Sequence, residues 1–356
     1  MNDEGADMSA TSMLSSDAKG IDSIMADMPA FGSEFAKTYA NHAPMVLVAL
    51  HSLGAGPERL YDFFESYRDY KELLPFGEPS SHLDADSWQT AIGHREREAD
   101  LRLFFTAEVD RLGGMEALRT YLPRLAAGVG ASAFHALMRT AYALIRGSES
   151  EIAISLAYWA ATYLAMPLKT GDAPKTKDPA EVLRRVYGLA EMHVLPLHEL
   201  LWQNMDESGR CAAFAPVVDW LEIDAQSLSR MAETAIALFA ATMDFSALHA
   251  VTGLHWMRLV LPYCANGDVM QSHFWQCIAA LVGEMKFPAL PDPAELARWR
   301  TLPVPDWPQI KAAAALSYDE HDISLAFSAS EEMKMYHDPL YQLAAARRVG
   351  LIADYR

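Results

Sequence analysis

Apolar residues recur every three or four positions along most of the chain, which is the spacing of an amphipathic helix. Alternating β-branched runs bounded by turn residues, the pattern typical of half-buried strands, are nearly absent. The pattern therefore predicts an all-α fold. The predicted helical stretches, with ends good to about 2–4 residues, are Pro57–Tyr70, Arg95–Leu112, Ser132–Arg146, Ser148–Ala165, Asp178–Leu189, Asp224–Phe245, Leu248–Tyr263, Asp268–Val282 and Asp319–Tyr336.

Helix start signals support this interpretation. The sequence DPAE occurs at Asp178–Glu181 and again at Asp292–Glu295, with Asp at the N-cap, Pro at the first helical position and Glu placed to close a capping box. Asp338 and Pro339 open a last helix in the same way. No low-complexity linker interrupts the chain, so we expect one large multi-helix domain over residues 22–356, preceded by a frayed segment over residues 1–21.

The predicted loops are short except for Lys169–Lys177, which is polar enough to form a surface loop, and Lys286–Pro308. Lys286–Pro308 is rich in proline and contains Trp299 and Trp307, which predicts a stiff strap that covers the body and buries its indoles. The longest apolar stretch, Ile154–Leu168, is shorter than the roughly 20 residues that cross a bilayer. It predicts a buried helix.

Charge and cysteine content narrow the classes of partner and compartment. Lys and Arg number 29 against 47 Asp and Glu, and the resulting net charge of −18 repels phosphate backbones and anionic lipids. The cysteines, Cys211, Cys264 and Cys277, form no CxxC pair and are typical of a reducing compartment. The acidic N-terminus lacks the features of a secretory signal. We therefore expect a cytoplasmic protein without a nucleic-acid or membrane partner.

The unusual feature of the sequence is where its histidines stand. The motifs GxGxxG, GxxxxGK[ST], HExxH and GxSxG are all missing. Four histidines lie at or inside strongly apolar helical segments, where an unpaired imidazole is costly and each ring needs a partner: His42, His135, His249 and His321. Six others lie beside loops or charged neighbours, and most of them are expected at the surface or in helix caps: His82, His94, His193, His198, His273 and His337.

The helix around His135 carries further polar groups on the same face. Arg139 and Tyr142 follow His135 at spacings of four and seven, which places all three side chains together. Such a face suits a structural network, in which Arg139 bonds a neighbouring helix end, about as well as a site for an anionic or carbonyl substrate.

The helix around His249 has two further features. Gly253, on the face of His249, lowers helix stability by roughly 1 kcal/mol relative to Ala unless another group packs closely against it. His255 lies six residues after His249 and therefore projects to a different side.

Four helices that each contribute one inward imidazole are the means by which a bundle builds a metal site at its centre. For any one of these histidines alone, a hydrogen-bonded core residue is the more common arrangement. Neutral imidazole suits Fe, Zn, Cu or Ni, and carboxylates such as Asp319, Glu320 or Asp322 would orient the rings.

A succession of motifs extends over most of the chain, roughly from Glu34 to Arg348. The motifs are NHAPM (Asn41–Met45), ALHSLGA (Ala49–Ala55), HALMRTAYAL (His135–Leu144), HAVTGLH (His249–His255), DEHDISLAFSASEE (Asp319–Glu332) and HDPLYQLAAARR (His337–Arg348). No single motif is decisive, but their order and separation resemble the questin oxidase-like family.

The resemblance implies a mostly helical oxygenase. Relatives oxidise or cleave rings of aromatic polyketides such as anthraquinones and are described either as Baeyer–Villiger-type or as non-haem iron oxygenases. By this analogy His42, His135, His249 and His321 would be the metal ligands. The family often has, three residues after the last histidine, a lysine that can add an oxygen ligand after carboxylation. This chain departs from that pattern with Ser324.

The leading hypothesis is an Fe(II) oxygenase that binds O2 beside an aromatic polyketide or quinone-like substrate. Arg139, Tyr142 and His255 are the expected catalytic residues, with Arg139 or His255 stabilising negative charge on a phenolate or peroxide. One alternative is a metal-free Baeyer–Villiger-type oxidase assisted by NADPH or flavin, in which the histidines act as acid and base and a separate reductase supplies electrons. Another is a helical protein that binds a small molecule without turnover.

Overall fold

The computed structural model describes residues 20–73 and 75–355 and confirms the all-α prediction. The α-helices are α1 (20–27), α2 (Ala43–Ser52), α3 (Pro57–Lys71), α4 (Glu98–Leu112), α5 (Gly114–Leu125), α6 (His135–Arg146), α7 (Glu149–Ala161), α8 (Pro179–Tyr187), α9 (Leu201–Arg210), α10 (Ser227–Thr242), α11 (Phe245–Val260), α12 (Gly267–Ala280), α13 (Pro293–Trp299), α14 (Trp307–Leu316), α15 (Glu320–Tyr336) and α16 (Leu340–Arg348).

Short elements complete the fold of the described residues. One antiparallel sheet pairs β1 (Glu34–Phe35) with β2 (Tyr39–Ala40), with Glu34 opposite Ala40 and Phe35 opposite Tyr39. Single 3₁₀ turns lie at Met28–Ala30, Ala36–Thr38, Trp88–Ala91, Arg95–Arg97, Ala126–Gly128, Ala190–His193, Ala215–Asp219 and Leu261–Tyr263.

Every predicted helical stretch contains a helix, but the ends differ where tertiary contacts decide them. The predicted stretch Ser148–Ala165 stops being helical after Ala161, so only the first part of Ile154–Leu168 is a helix. The carbonyl oxygen of Ala160 accepts a hydrogen bond from the amide of Gly93, a residue 67 positions earlier in the chain. This bond satisfies a helix-end carbonyl from outside the helix.

The predicted strap over Lys286–Pro308 is only partly irregular, because it contains α13. Asp292 accepts from the amide of Glu295, and the Glu295 side chain accepts from the amide of Asp292, which confirms the predicted capping box. Trp299 is buried and Trp307 is half-buried, as the strap interpretation required.

The predicted frayed segment lies mostly outside the described residues, since these begin at residue 20. The prediction is wrong for its last two residues. Gly20 and Ile21 belong to α1, and the Ile21 side chain is buried in the core because the helix packs its apolar face inward.

Four helices bring the apolar histidine segments together. Helix α11 packs against α6 and α15, and α2 packs against the same two helices. His42 is the N-cap of α2, His135 opens α6, His249 lies one turn inside α11, and His321 is the second residue of α15. The N-terminal ends of the four helices therefore meet at one place. Within the described ranges, no helix is long and apolar enough to span a membrane.

Candidate metal centre

The four apolar-segment histidines meet although they are far apart in the chain. Their ring centres form a closed ring in which His42 and His135 are 4.5 Å apart, and His135 and His249 5.8 Å. His249 and His321 are 5.6 Å apart, and His321 and His42 5.2 Å. His42, His135 and His249 are buried, and the side chain of His321 is 17% exposed.

Each ring is oriented by a hydrogen bond from its Nδ1 atom to an oxygen. His42 Nδ1 donates to the carbonyl of Ala40 at 2.9 Å, and His249 Nδ1 donates to the carbonyl of Phe245 at 2.8 Å. His135 and His321 are held in the same way by the Ser132 carbonyl and the Asp319 carboxylate. A carbonyl or carboxylate oxygen only accepts, so all four Nδ1 atoms carry the proton and a neutral ring has its lone pair on Nε2.

The Nε2 atoms of His42 and His135 lie 2.8 Å apart. With both Nδ1 atoms protonated, the two neutral rings would point the lone pairs of their Nε2 atoms at each other. A proton between them is disfavoured, because burial lowers the pKa of His42 to about 4 and that of His135 well below its usual value. Burial likewise lowers the pKa of His249 to about 3. A bound cation would satisfy both lone pairs without a proton.

The ring centres lie near the separations that a shared cation requires, but no three of these histidines have ligand atoms within 4.8 Å of one another. Among the described residues, the group that meets this distance is Asp319, Glu320 and His321. A cation shared by all four histidines would therefore draw the rings of His249 and His321 inward. A cation about 2.1 Å from each Nε2 atom lies about 3.2 Å from each ring centre, so neighbouring rings at right or tetrahedral angles are about 4.5–5.2 Å apart. The four observed separations run from 4.5 to 5.8 Å, with only the two pairs that involve His249 above this range. The donor set is four neutral imidazole nitrogens, which suits iron, zinc, copper or nickel.

Carboxylates support one side of the cluster. Asp319, Glu320 and His321 have potential ligand atoms within 4.8 Å of one another. Asp319 is already the N-cap of α15 and forms an ion pair with Arg348 at 2.7 Å. Glu320 pairs with Lys71 at 3.0 Å. Nearby His321 and Arg348 keep the pKa of Asp319 low despite its burial, so this carboxylate stays charged and orients the ring.

The backbone before α6 is strained to place His135. Ser132, Ala133 and Phe134 all have left-handed φ values, of 46°, 55° and 70°, which cost on the order of 1–3 kcal/mol each. Ser132 donates to Glu34 at 2.6 Å, and Glu34 also accepts from Arg95 at 2.9 Å. This network fixes the turn and with it the Ser132 carbonyl that orients the His135 ring.

A cavity of about 270 Å³ opens directly over the histidines. All four rings line it, and so do the aromatic side chains of Phe35, Tyr39, Trp202 and Phe245. The cavity reaches the surface, where Phe245 is 43% exposed. Its charged lining residues are Lys71, Glu199, Glu284 and Glu320.

Apart from Glu320, these charged and aromatic lining residues were not identified from the sequence. In the sequence, Lys71 has the position of an ordinary cation near the C-terminal end of a helix. The residues around Glu199 and Trp202 form no motif that indicates a function. Arg95 lies 4.2 Å above the Trp202 ring and supports it by a cation–π contact. Only the fold brings these side chains to one cavity.

The predicted catalytic residues Arg139, Tyr142 and His255 do not line this cavity. Arg139 is buried and turns away from His135, because its guanidinium bonds Glu151 at 2.8 and 3.1 Å and Ser33 at 3.1 Å. This arrangement is the structural network that the sequence left open as an alternative. Tyr142 lies two turns further along α6, in the core.

His255 confirms the prediction that it projects away from His249. Its Nδ1 atom bonds Glu332 at 2.7 Å, and Arg258 bonds the same carboxylate oxygen at 2.6 Å. Among the six histidines expected mostly at the surface or in caps, His273 is the exception. It is buried and its Nδ1 bonds Gln276 at 3.0 Å, because α12 is apolar on nearly all sides and lies in the core.

Comparison with known proteins agrees with the geometry. The model of the questin oxidase-like family matches residues 39–326, which include all four histidines. No curated protein gives a significant match. The match covers more than half of the chain, and the chain therefore belongs to the questin oxidase-like family.

Proposed function

We propose that this protein is an iron-dependent oxygenase that oxidises or ring-cleaves an aromatic polyketide or quinone-like molecule. Family membership supports an oxidoreductase of this substrate class. The observation that carries the metal proposal is the pair of Nε2 atoms of His42 and His135, 2.8 Å apart at the floor of the cavity. Both atoms carry lone pairs for the reasons given above.

His42, His135, His249 and His321 would hold the iron. When bound there, Fe(II) supplies the one-electron chemistry with O2 that organic side chains lack. Four imidazole ligands leave at most two positions of an octahedron open. The Nδ1 hydrogen bonds fix the ring orientations before the metal arrives and so reduce the reorganisation that binding requires.

The cavity walls suit a flat aromatic substrate. Trp202, Phe35 and Phe245 present apolar ring surfaces, and Arg95 holds the Trp202 indole from behind. Binding of a planar ligand against these rings excludes water from the histidine cluster. These apolar ring surfaces support the proposal of a flat aromatic substrate.

Groups of both signs line the cavity: Lys71 and the helix N-termini favour an electron-rich substrate oxygen, whereas Glu199, Glu284 and Glu320 oppose a full negative charge. Lys71 lies at the cavity wall beside Glu320, where its ammonium can donate to a phenolate oxygen. The N-terminal ends of α2, α6, α11 and α15 point their partial positive charge toward the same place.

The test is metal content together with O2 uptake on a panel of hydroxyanthraquinones. We expect about one iron per chain, quinone-dependent O2 uptake, and loss of uptake on chelation that added Fe(II) restores. Uptake by metal-free protein with NADPH or flavin would instead establish the metal-free oxidase. Quinone binding without O2 uptake in iron-loaded protein would establish a binding protein.

A further inference from the structure

A second group of polar atoms lies buried below the histidine cluster, between α6, α11 and α15. Tyr142 Oη, Trp256 Nε1, Ser324 Oγ and Ser328 Oγ are each inaccessible and lack a hydrogen-bond partner among the described residues. A buried hydroxyl or indole N–H without a partner is costly, and native proteins satisfy nearly all such groups with protein or ordered water. Four orphans on three packed helices therefore need a common explanation.

Helix geometry places these atoms under the histidines. Tyr142 follows His135 by seven residues, and Trp256 follows His249 by seven. On α15, Ser324 and Ser328 follow His321 by three and seven. Residues seven apart share a helix face and are about 10 Å apart along the axis. The three helices thus carry one polar layer two turns below the imidazole layer.

The four groups lie close together. Burial raises the pKa of Tyr142 to about 12, and Ser324, Ser328 and Trp256 lie near enough to oppose this shift through hydrogen bonding. Their contacts nevertheless lack the geometry of a complete hydrogen bond, since each of the four atoms is without a partner among the described residues. A buried cluster of three or four donors and acceptors whose direct hydrogen bonds are incomplete is an environment in which proteins hold ordered water.

The polar stripe on α15 continues to a buried carboxylate. Glu332 follows Ser328 by one turn, and its Oε2 atom is also buried without a partner. Its Oε1 atom accepts from His255 and from Arg258, and the Nε2 atom of His255 is a further orphan. Arg258 is 24% exposed and brings this end of the stripe close to solvent.

We propose that a file of buried water molecules follows this stripe and conducts protons between the Glu332–His255 pair and the histidine cluster. The water contacts, in order, are Ser324, then Ser328 and Tyr142, then Glu332. Each water or hydroxyl accepts a proton from one neighbour and passes its own to the next, so one proton moves, no electron is transferred, and the hydrogen bonds of the file reverse. Trp256, which only donates, holds the water in position.

The need for protons rests on the proposed function, because reduction of O2 consumes them. The open side of the cavity cannot serve once an aromatic substrate fills it and covers the four histidines. A path that reaches the cluster from below, through α15, stays available in that state. The buried water itself is inferred from the unpartnered polar atoms and does not depend on the proposed function.

The first experiment measures the water without any activity. A high-resolution crystal structure of the protein is expected to show ordered water within hydrogen-bond distance of Tyr142 Oη and of at least one of Ser324 and Ser328. If no ordered water is found there, or if the four groups bond one another directly, the proposal is overturned.

The melting temperatures of two matched variants provide a second test of whether Ser328 is hydrated. Ser330 lies on the same helix and is buried, but its hydroxyl already bonds the Phe327 carbonyl at 2.9 Å. If Ser328 is hydrated, Ser328→Ala and Ser330→Ala each lose a satisfied hydroxyl and each lower Tm by about 1–3 °C. If no water binds the Ser328 hydroxyl, Ser328→Ala removes an unsatisfied group and raises Tm. That result would contradict the proposal.

Conduction is tested by turnover and by the solvent deuterium isotope effect on iron-loaded protein. Ser328→Ala and Tyr142→Phe are expected to slow quinone-dependent O2 uptake by at least about tenfold and to enlarge the isotope effect, with iron content and quinone Kd unchanged. Ser330→Ala is expected to change neither. Unchanged rates in both variants would overturn conduction. If no quinone is turned over, the proposed function fails and the crystal and Tm results still decide whether the water is there.

Discussion

The Nε2 atoms of His42 and His135 lie 2.8 Å apart, although the residues are 93 positions apart in the chain. The opposite side of each ring is committed to a backbone carbonyl. Neither ring can turn its protonated nitrogen toward the other without breaking that bond. The close pair therefore has the chemistry of the proposed cation site, and the fold holds it at the N-terminal ends of two helices.

The histidine ligands can be tested by single substitutions. His135→Ala or His249→Ala is expected to abolish iron retention and leave far-UV helicity largely intact, because each ring contributes a ligand and the helices are held by apolar packing. The measurement is iron per chain after desalting, together with circular dichroism.

His94→Ala and His193→Ala are the matched controls. Both residues are exposed, and His193 stacks on Phe287 away from the cavity. Their iron content should equal that of the wild type. Comparable iron loss in the controls, or full iron content in both ligand variants, would show that other residues hold the metal.

The buried histidines make the stability of the metal-free protein depend on pH. The pKa of His42 falls to about 4 and that of His249 to about 3 in the folded chain, against about 6.5 when unfolded. The unfolded state binds more protons between these values, so the free energy of unfolding falls as the pH drops from about 6.5 toward 4. Each such histidine contributes a slope of about 1.4 kcal/mol per pH unit near pH 5.

Urea denaturation of metal-free protein at pH 5 and pH 7 measures this slope. His249→Gln removes one titrating group and is expected to reduce the stability difference between the two pH values. Because acidic side chains also titrate in this range, the comparison is between variant and wild type. An equal difference in both proteins would contradict the low pKa of His249.

Arg139 is expected to act on stability rather than on catalysis. Arg139→Met leaves Glu151 buried without its cation, which costs about 3–5 kcal/mol. The double variant Arg139→Met with Glu151→Leu removes both charges and should recover most of that loss. The measurements are urea denaturation and iron content. Loss of iron or turnover at unchanged stability would restore a direct catalytic role.

Gly253 is expected to be required by its neighbour on α12. A Cβ atom at this position would lie 2.8 Å from the ring of Phe274, which itself packs on Phe134 at 4.8 Å, next to His135. Gly253→Ala gains about 1 kcal/mol of helix propensity but overpacks the contact at a cost of about 1–3 kcal/mol. We expect a net loss of stability, measured by urea denaturation. The added variant Phe274→Leu should reverse it; a stabilised single variant would contradict the close contact.

Much of the fold could be predicted from the sequence, because the signals involve residues that are close together in the chain. The period of apolar residues predicted the helices, and the Asp292–Glu295 run predicted a capping box that the structure confirms. The close approach at Gly253 was anticipated from the helix cost of a glycine on the face of His249. The histidines at the site were marked by an equally local signal, a titratable ring in an apolar segment.

The tertiary structure decided where those side chains point and what they meet. Arg139 and Tyr142 share a helix face with His135 in the sequence, yet Arg139 meets Glu151 on α7 and Tyr142 lies below the cavity. The buried position of His273 and the aromatic wall at Trp202 likewise depend on residues distant in the chain. A helical period fixes the side of one helix on which a residue lies. Only the packing of several helices fixes which of those sides share a cavity.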